Sequence, residues 1–265
     1  MPHAPGRQNP SARGFAIANG PASASVQILG EGRPGPWVVS CDHASPRVPP
    51  EVADGDLGLP PEDMARHIAY DVGAAGVTRA LAGMLDSPAI LSDFSRLVSD
   101  PNGGEDDPTR LRRLYDGTII PANRHTDASE RERRLDLLHR PYHAALGRLM
   151  ERPGAILLAV HSFTPQLRGR PPRPWQVGIL SARDRRLADP LLARLRAEPD
   201  LCIGDNEPYT GHLPGDSVDR HALRQGRPNA LIELRNDLIG TAEGQSDWAA
   251  RLAPILEAAR QDANL

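Results

Sequence analysis

Short apolar runs alternate with longer amphipathic segments along the chain from residue 36 onward. Apolar or β-branched runs predict five strands, at 37–41, 89–92, 155–160, 176–180 and 230–234. Apolar residues at helical spacing predict three helices, at 62–85, 128–150 and 246–259. The run at 155–160, "AILLAV", is apolar on both faces, as a central strand should be. The pattern therefore predicts an α/β fold, in which a mostly parallel or mixed central sheet carries helices on both faces.

The first 33 residues differ in composition from the rest of the chain. They are rich in Pro, Gly, Ala and Ser, and they lack the compact apolar stretch of a signal peptide. We predict a flexible lead-in at 1–33 and a single catalytic α/β domain at 34–265.

Charge and cysteine content narrow the class of partner. The chain of 265 residues has a net charge of −3, which does not favour binding to nucleic acid or to an anionic membrane. Its two cysteines, Cys41 and Cys202, give no disulfide framework, and no apolar run reaches the ~18 residues that span a bilayer. We predict a cytoplasmic protein with a small-molecule partner, and the sequence leaves its oligomeric state open.

Candidate catalytic side chains lie where the predicted strands end. His43 follows "WVVSCD", His161 follows "AILLAV", and Glu233 and Arg235 lie in "ALIELRND". The carboxyl ends of parallel strands share one edge of a sheet, so we expect these side chains to lie close together. Two imidazoles with carboxylates predict a divalent metal, most simply zinc. The alternative is that each histidine is an ordinary hydrogen-bonded residue at the edge of the core.

A third metal ligand has to come from another element. We predict Asp71, in "RHIAYDVGAAG", because it lies on the helix predicted at 62–85 and shares a face with His67 at a spacing of four residues. His67 is an alternative ligand. Asp42 is another, either as a ligand or as an acceptor that orients His43. Cys41 should lie on the opposite face of its strand from Asp42 and serve in packing.

Eight motifs in order, from about residue 37 to 260, resemble the N-formylglutamate amidohydrolase family: "CDHASPRVP", "HIAYDVGAAGV", "SDFSRLVSDPN", "IPANR", "HSFTP", "RPWQVGIL", "DNEPY" and "LIELRNDLI". The resemblance implies a phosphorylase/hydrolase-like α/β fold, similar to that of zinc carboxypeptidases. It also implies a metal-dependent enzyme in which activated water hydrolyses the amide of an N-formyl or N-acyl amino acid. The substrate would be a small anion such as N-formyl-L-glutamate.

The same resemblance implies roles for individual residues. His43 and His161 would be metal ligands and Glu233 the catalytic carboxylate, with Asp71 as a ligand by analogy with zinc amidases. Arg235 would stabilise the oxyanion or bind a substrate carboxylate, although a structural ion pair is the alternative for each arginine of these motifs. The implied substrate-binding residues are Arg96, Asn102, Arg124, Asn206 and Tyr209.

One position departs from the family's pattern S-R-x-x-x-D-x-N-R. Gly103 stands where the final arginine is expected, and the acidic stretch at 105–107 follows. This predicts that N-formylglutamate is a poorer substrate than an N-acyl amino acid with a neutral side chain, unless Arg110 or Arg112 replaces the missing contact. Two other functions remain open: a zinc amidase or carboxypeptidase acting on peptide or cell-wall fragments, and a non-catalytic binding protein of the same fold.

Overall fold

The computed structural model describes residues 25–265, and the part of the predicted lead-in at 1–24 lies outside them. The strands are β1 (Val26–Leu29), β2 (Trp37–Cys41), β3 (Ala89–Ser92), β4 (Leu114–Tyr115), β5 (Thr118–Ile119), β6 (Ile156–Phe163), β7 (Val177–Leu180), β8 (Ile203–Asp205) and β9 (Asn229–Arg235). The α-helices are α1 (Pro61–Met64), α2 (Ala74–Met84), α3 (Ala128–Arg134), α4 (Arg140–Met150), α5 (Ala188–Arg196), α6 (Ser217–His221) and α7 (Ala242–Asp262).

Within residues 25–265, seven strands form one mixed sheet in the order β1-β3-β2-β6-β9-β7-β8. The strand β6 occupies the middle, as its apolar sequence predicts, and all eight of its residues are buried. Strands β3, β2, β6 and β9 run parallel to one another, whereas β1 and β7 pair antiparallel with their neighbours β3 and β9. The predicted α/β class is therefore confirmed, with a mixed sheet.

Helices cover both faces of the sheet because neighbouring strand residues point to opposite sides. Val39 of β2 belongs to the core that α2, α5 and α7 form on one face. Val38, the preceding residue, belongs to the core that α4 and α6 form on the other face. A third apolar cluster, which includes Phe94 and Leu97, packs among the connections between the strands.

The strand predictions are confirmed, with changes at their ends. Residues 37–41 and 89–92 form strands with the predicted bounds, and β9 is one residue longer at each end than the strand predicted at 230–234. The strand β6 continues three residues beyond the predicted end at 160 and so includes His161. The predicted boundary at residue 33 needs correction, because Val26–Leu29 pairs with β3 along the edge of the sheet. Its short sequence, "VQIL", stands beside a Gly- and Pro-rich turn, and its partner strand is distant in the chain, so local composition did not reveal it.

The helix predicted at 62–85 is wrong in its first half. The structure has only α1 at Pro61–Met64 and then α2 from Ala74. Between them the backbone bonds to other segments: the N–H of Asp71 donates to the carbonyl of His43 at 2.9 Å, and the carbonyl of Ala69 accepts from the N–H of Arg96 at 3.1 Å. These long-range bonds replace helical ones, so Asp71 lies in an irregular segment and does not share a helix face with His67.

Gly73 ends this segment and begins α2 with φ of 82°. A Cβ atom there would lie 2.1 Å from the carbonyl oxygen of Ile239. We expect Gly73→Ala to lower the free energy of unfolding by about 1–3 kcal/mol. Alanine is strained in the left-handed backbone conformation, and its Cβ atom would push the chain at residue 73 away from Ile239. Urea denaturation measures the change. Gly83→Ala is the control, since nothing lies within 4 Å of its Cβ position and alanine favours a helix; equal stability losses in both variants would contradict this reading.

The other two helix predictions are confirmed. Residues 128–150 are helical throughout, as α3, a π-helical stretch at Leu135–His139, and α4. The helix predicted at 246–259 extends to Ala242–Asp262, where the hydroxyl of Thr241 accepts from the N–H of Gly244. Within the described part of the chain, no helix is long and apolar enough to cross a membrane.

Candidate active site

Three neighbouring parallel strands, β2, β6 and β9, end at one edge of the sheet and carry the predicted catalytic residues there. His43 follows β2 by two residues, and His161 of β6 pairs in register with Glu233 of β9. The centroids of the His43 and His161 rings are 5.1 Å apart. The shared sheet edge therefore brings His43 beside His161, which is more than 100 positions away in the sequence, as the strand ends predicted.

Asp71 lies between the two imidazoles. Its Oδ2 atom is 3.1 Å from Nδ1 of His43 and 2.9 Å from Nδ1 of His161. Among residues 25–265, His43, Asp71 and His161 form the group whose nitrogen and oxygen atoms converge as a metal ion requires, all within 4.8 Å of one another. His67 does not belong to this group, because its Nε2 faces Asp116 at 3.4 Å.

A carboxylate faces the far nitrogen of each imidazole, and the contact is a hydrogen bond at His43. Nε2 of His43 is 2.7 Å from Oδ1 of Asp100, and Nε2 of His161 faces Oδ2 of Asp42 at 3.6 Å. The predicted alternatives for Asp42 need correction, because it faces His161 and is absent from the converging group, while Asp100 takes the place behind His43. A carboxylate behind each Nε2 favours the tautomer with its lone pair on Nδ1, which points to the shared centre.

The electrostatics of this cluster favour added positive charge. Burial tends to raise the pKa of Asp42, but the facing His161 imidazole and the Tyr142 hydroxyl lower it to about 2. Burial opposes ionisation of Asp71 too, yet the two imidazoles hold its pKa well below the usual range. Burial would lower the pKa of His161, whereas its contacts with Asp42 and Asp71 raise it well above the ordinary value. Buried carboxylates thus draw cations into the site, and two nitrogens with one oxygen fit a divalent metal such as zinc.

Glu233 is the carboxylate of the site that lacks a compensating contact. Its side chain is 6% exposed, and its Oε2 atom has no hydrogen-bond partner within residues 25–265. Burial raises the pKa of Glu233 to about 7, opposed by the charge of His161 and assisted by that of Asp71. A carboxyl group that gains and loses a proton near neutral pH is suited to general acid–base chemistry.

A cavity of about 260 Å³ opens onto these side chains. Its lining combines polar residues of the cluster with five residues that follow β8: Tyr209, Thr210, Gly211, Leu213 and Asp216. The predicted substrate-binding residues Arg96, Asn102 and Tyr209 all line it. The ring of Tyr209 is in turn held by Arg173, whose Nη1 donates to its hydroxyl at 3.1 Å.

Two arginines line the cavity, and they differ in their contacts. Arg96 donates to Asp71 at 3.3 Å and to Asp100 at 3.1 Å, so its charge is already paired with the cluster. Arg112 stacks over the ring of Tyr115, 4.5 Å from the centroid, and its nearest carboxylate oxygen, on Asp100, is 3.5 Å away. The guanidinium of Arg112 is therefore the more available of the two for an anionic ligand.

Three predicted site residues lie elsewhere. Arg124 is exposed and is not in the lining of the cavity. Arg235 also stands outside that lining, because its guanidinium pairs with Asp237 at 2.8 Å. The side chain of Asn206 accepts from the N–H of Ser181 at 2.9 Å, which links the segments that follow β7 and β8. Their motifs are present, but each side chain has a local partner or faces solvent.

The glycine at position 103, where the family pattern has an arginine, affects the cavity less than the sequence predicts. Gly103 is outside the cavity lining, and the Glu105 carboxylate pairs with Arg140 at 3.1 Å and Arg220 at 3.3 Å. Arg110 does not replace the missing arginine, because its guanidinium donates to the carbonyls of Gly104 and Glu105. Of the two alternatives from the sequence, Arg112 is the one that lines the cavity.

Comparison with known proteins agrees with this arrangement. A family model of N-formylglutamate amidohydrolase matches residues 35–240. The crystal structure of a gene product from Agrobacterium tumefaciens is 31% identical and has a TM-score of 0.84, over 96% of this chain and 100% of that one. An N-formylglutamate amidohydrolase from Ralstonia eutropha is 24% identical with a TM-score of 0.63, over 90% of this chain and 99% of that one, and it supports the fold. No curated protein gives a significant sequence match.

Proposed function

This chain belongs to the N-formylglutamate amidohydrolase family, and we propose that it is a zinc-dependent enzyme that hydrolyses the amide of a small anionic N-acyl amino acid. The observation that carries the proposal is the convergence of His43, Asp71 and His161 beside the unpartnered carboxylate of Glu233. Amide hydrolysis needs an activated water and a group that moves its proton, and this site offers residues for both tasks.

The three converging side chains would hold the metal ion. Nδ1 of each imidazole and Oδ2 of Asp71 are the donor atoms. The hydrogen bond from Asp100 fixes the orientation of His43, and Asp42 places a negative charge opposite Nε2 of His161. When bound, a divalent cation supplies Lewis acidity, which polarises the amide carbonyl and lowers the pKa of water toward neutrality. The nitrogen and oxygen donors favour zinc over the harder cations magnesium and calcium.

Glu233 would move the proton during the reaction. As a carboxylate it accepts a proton from the attacking water, and as a carboxylic acid it returns that proton to the leaving nitrogen. In the site without a metal ion, burial raises the pKa of Glu233 to about 7, which makes this carboxyl group easier to protonate than an ordinary glutamate. Arg96, at the edge of the same cavity, keeps Asp71 and Asp100 in place through its paired guanidinium.

The cavity favours a small substrate with a carboxylate. A volume of about 260 Å³ suits one amino acid with a short acyl group better than a long peptide. Arg112 provides a guanidinium that can bind a carboxylate with two parallel hydrogen bonds. Glu105, in the acidic stretch at 105–107, pairs with Arg140 and Arg220 outside the cavity, so its charge does not repel an anionic substrate there. We therefore propose that N-formylglutamate-like anions are accepted.

A panel of substrates tests this proposal. Purified zinc-loaded protein is assayed for released amine with N-formyl and N-acetyl derivatives of glutamate and glutamine, and with dipeptides. We expect hydrolysis of the N-formyl or N-acetyl amino acids and not of the dipeptides. Cleavage of the dipeptides alone would favour the peptidase alternative, and no hydrolysis of any member would favour a binding protein.

Replacing Arg112 tests the proposed carboxylate contact. We expect Arg112→Met to lower kcat/KM for the preferred anionic substrate by about 10–150-fold, which corresponds to a lost charge-assisted hydrogen bond of roughly 1.5–3 kcal/mol. The carboxamide analogue of that substrate should lose much less, because it does not need the positive charge. Arg124→Met is the matched control on an exposed arginine. Equal losses for carboxylate and carboxamide substrates would count against the contact.

A further inference from the structure

Three buried histidines outside the candidate metal site lie against the helical segment that contains α4. His139 ends the π-helical stretch, His143 lies in α4, and His221 ends α6, and they are 0%, 3% and 8% exposed. The ring centroids of His139 and His143 are 4.3 Å apart, and those of His143 and His221 are 5.2 Å apart. No residue of this cluster was singled out from the sequence.

The hydrogen bonds of this cluster fix its tautomers. A carbonyl oxygen only accepts, so Nε2–H of His139 donates to Gly103 at 3.0 Å and Nε2–H of His143 donates to Pro101 at 2.9 Å. Nδ1 of His143 is then an acceptor, and it receives Nε2–H of His221 at 3.0 Å. Burial is the main reason that the pKa values of His139 and His221 fall to about 4, so all three rings are neutral donors at neutral pH.

This histidine cluster is not arranged as a second metal site. Within residues 25–265, the group of potential ligands that converges on one point is the one formed by His43, Asp71 and His161. Two Nε2–H groups of the cluster point at backbone carbonyls instead. His139 and His143 instead form hydrogen bonds to the backbone, at Gly103 and Pro101 respectively, which restrain this segment.

The segment 100–103 that they hold connects directly to the candidate site. At its start, Asp100 contacts Nε2 of His43 at 2.7 Å and accepts the backbone N–H of Asn102 at 3.0 Å. Asn102 itself lines the cavity. The two clamped carbonyls lie on either side of Asn102, so a shift of this segment would move both Asp100 and Asn102.

We propose that His139 and His143, with His221 behind them, are positioning residues that fix the segment 100–103 and thereby the orientation of His43 toward the metal. The inference rests on the proposed function, because it concerns a ligand of that site. Tyr142, on the same helix, donates its hydroxyl to Asp42, which faces His161. One helical surface thus supports the carboxylates behind both imidazoles.

Paired substitutions test the positioning role. Leucine at 139 or 143 removes the donor to the carbonyl, whereas glutamine can place an amide N–H where Nε2 was. Zinc affinity is measured by competition with a chromophoric chelator, well below the melting temperature. We expect His139→Leu and His143→Leu each to weaken zinc binding by about 10-fold or more, the range for groups behind metal ligands, and the glutamine variants to recover most of the loss. Leu149→Ala, a core truncation on the same helix, should lower the melting temperature without changing zinc affinity.

A metal-free readout separates this inference from the proposed function. The proton on Nε2 of His43 lies in a buried hydrogen bond to Asp100, so we expect it to give a slowly exchanging imidazole NMR signal, identified by its loss in His43→Ala. We expect the leucine variants to lose or broaden this signal and the glutamine variants to keep it. Failure of the wild-type protein to bind zinc would contradict the proposed function. The NMR comparison needs no metal, so it would still test whether His139 and His143 position His43. Leucine variants with an unchanged signal and unchanged zinc affinity would overturn the inference.

Discussion

Replacing His43 with alanine is expected to remove zinc from the protein and reduce amide hydrolysis to background. The imidazole supplies one of three donor atoms, and a site left with His161 and Asp71 has too few ligands to hold zinc firmly. The substitution also leaves the Asp100 oxygen without the imidazole that it contacts at 2.7 Å. The zinc content of the dialysed protein, measured by metal analysis, should fall from about one zinc per chain to almost none.

His212→Ala is the matched control for this loss. His212 is about half exposed, and its nearest acidic partner is Asp219 at 3.7 Å, so its removal should change neither zinc content nor turnover. Circular dichroism should show that both variants are folded. A His43→Ala protein that keeps stoichiometric zinc would show that the ion binds elsewhere.

Replacing Glu233 with glutamine is expected to lower kcat by about 10² or more while the zinc content stays unchanged. Glutamine has nearly the same shape but cannot accept the proton of the attacking water. Glu233 is not one of the three converging ligands, so the metal should remain. The variant loses a group whose pKa burial raises to about 7, which is the property that suits it to proton transfer.

The control for Glu233 is a glutamate in the first turn of α7. Glu243→Gln removes one negative charge from the exposed start of that helix and should leave kcat unchanged. Zinc content and melting temperature are measured for both variants. A Glu233→Gln enzyme with wild-type turnover would exclude Glu233 as the general base.

The central part of the site was predictable because it depends on local pattern and on one rule of topology. The apolar run of β6 and the residues that follow β2 and lie in β9 are visible in the sequence. Once these strands are parallel neighbours, His43, His161 and Glu233 must meet at one edge. No knowledge of the loops is needed for that step.

Asp71 was predicted through an incorrect helix. Its neighbours have helical spacing, but the carbonyl of Ala69 and the N–H of Asp71 bond to distant segments, and the positive φ of Gly73 separates Asp71 from α2. Helical periodicity could not reveal this, because the competing hydrogen bonds come from residues 26 or more positions away. The residue was correctly placed at the site, although its local structure was wrong.

The sequence did not reveal the role of Asp100, and it named Arg112 only as one of two candidates for a carboxylate contact. Asp100 contacts His43, which is 57 positions away in the sequence. Arg112 lies in the cavity lining, where it stacks on the ring of Tyr115. Both depend on how the connection between β3 and β4 closes over the sheet edge. Conversely, Arg124 lies in a motif of the family but faces solvent, because motif membership does not fix the direction of a side chain.

The most direct measurement is a zinc titration of metal-free protein with simultaneous detection of amine released from N-formylglutamate. If His43, Asp71 and His161 form one catalytic metal site, activity should be absent without metal, rise in proportion to added zinc and stop rising at about one equivalent per chain. Glu233→Gln should bind the same single equivalent and remain nearly inactive. Full hydrolysis by the metal-free protein, or saturating zinc binding without any hydrolysis, would contradict the proposal of a zinc-dependent amidohydrolase.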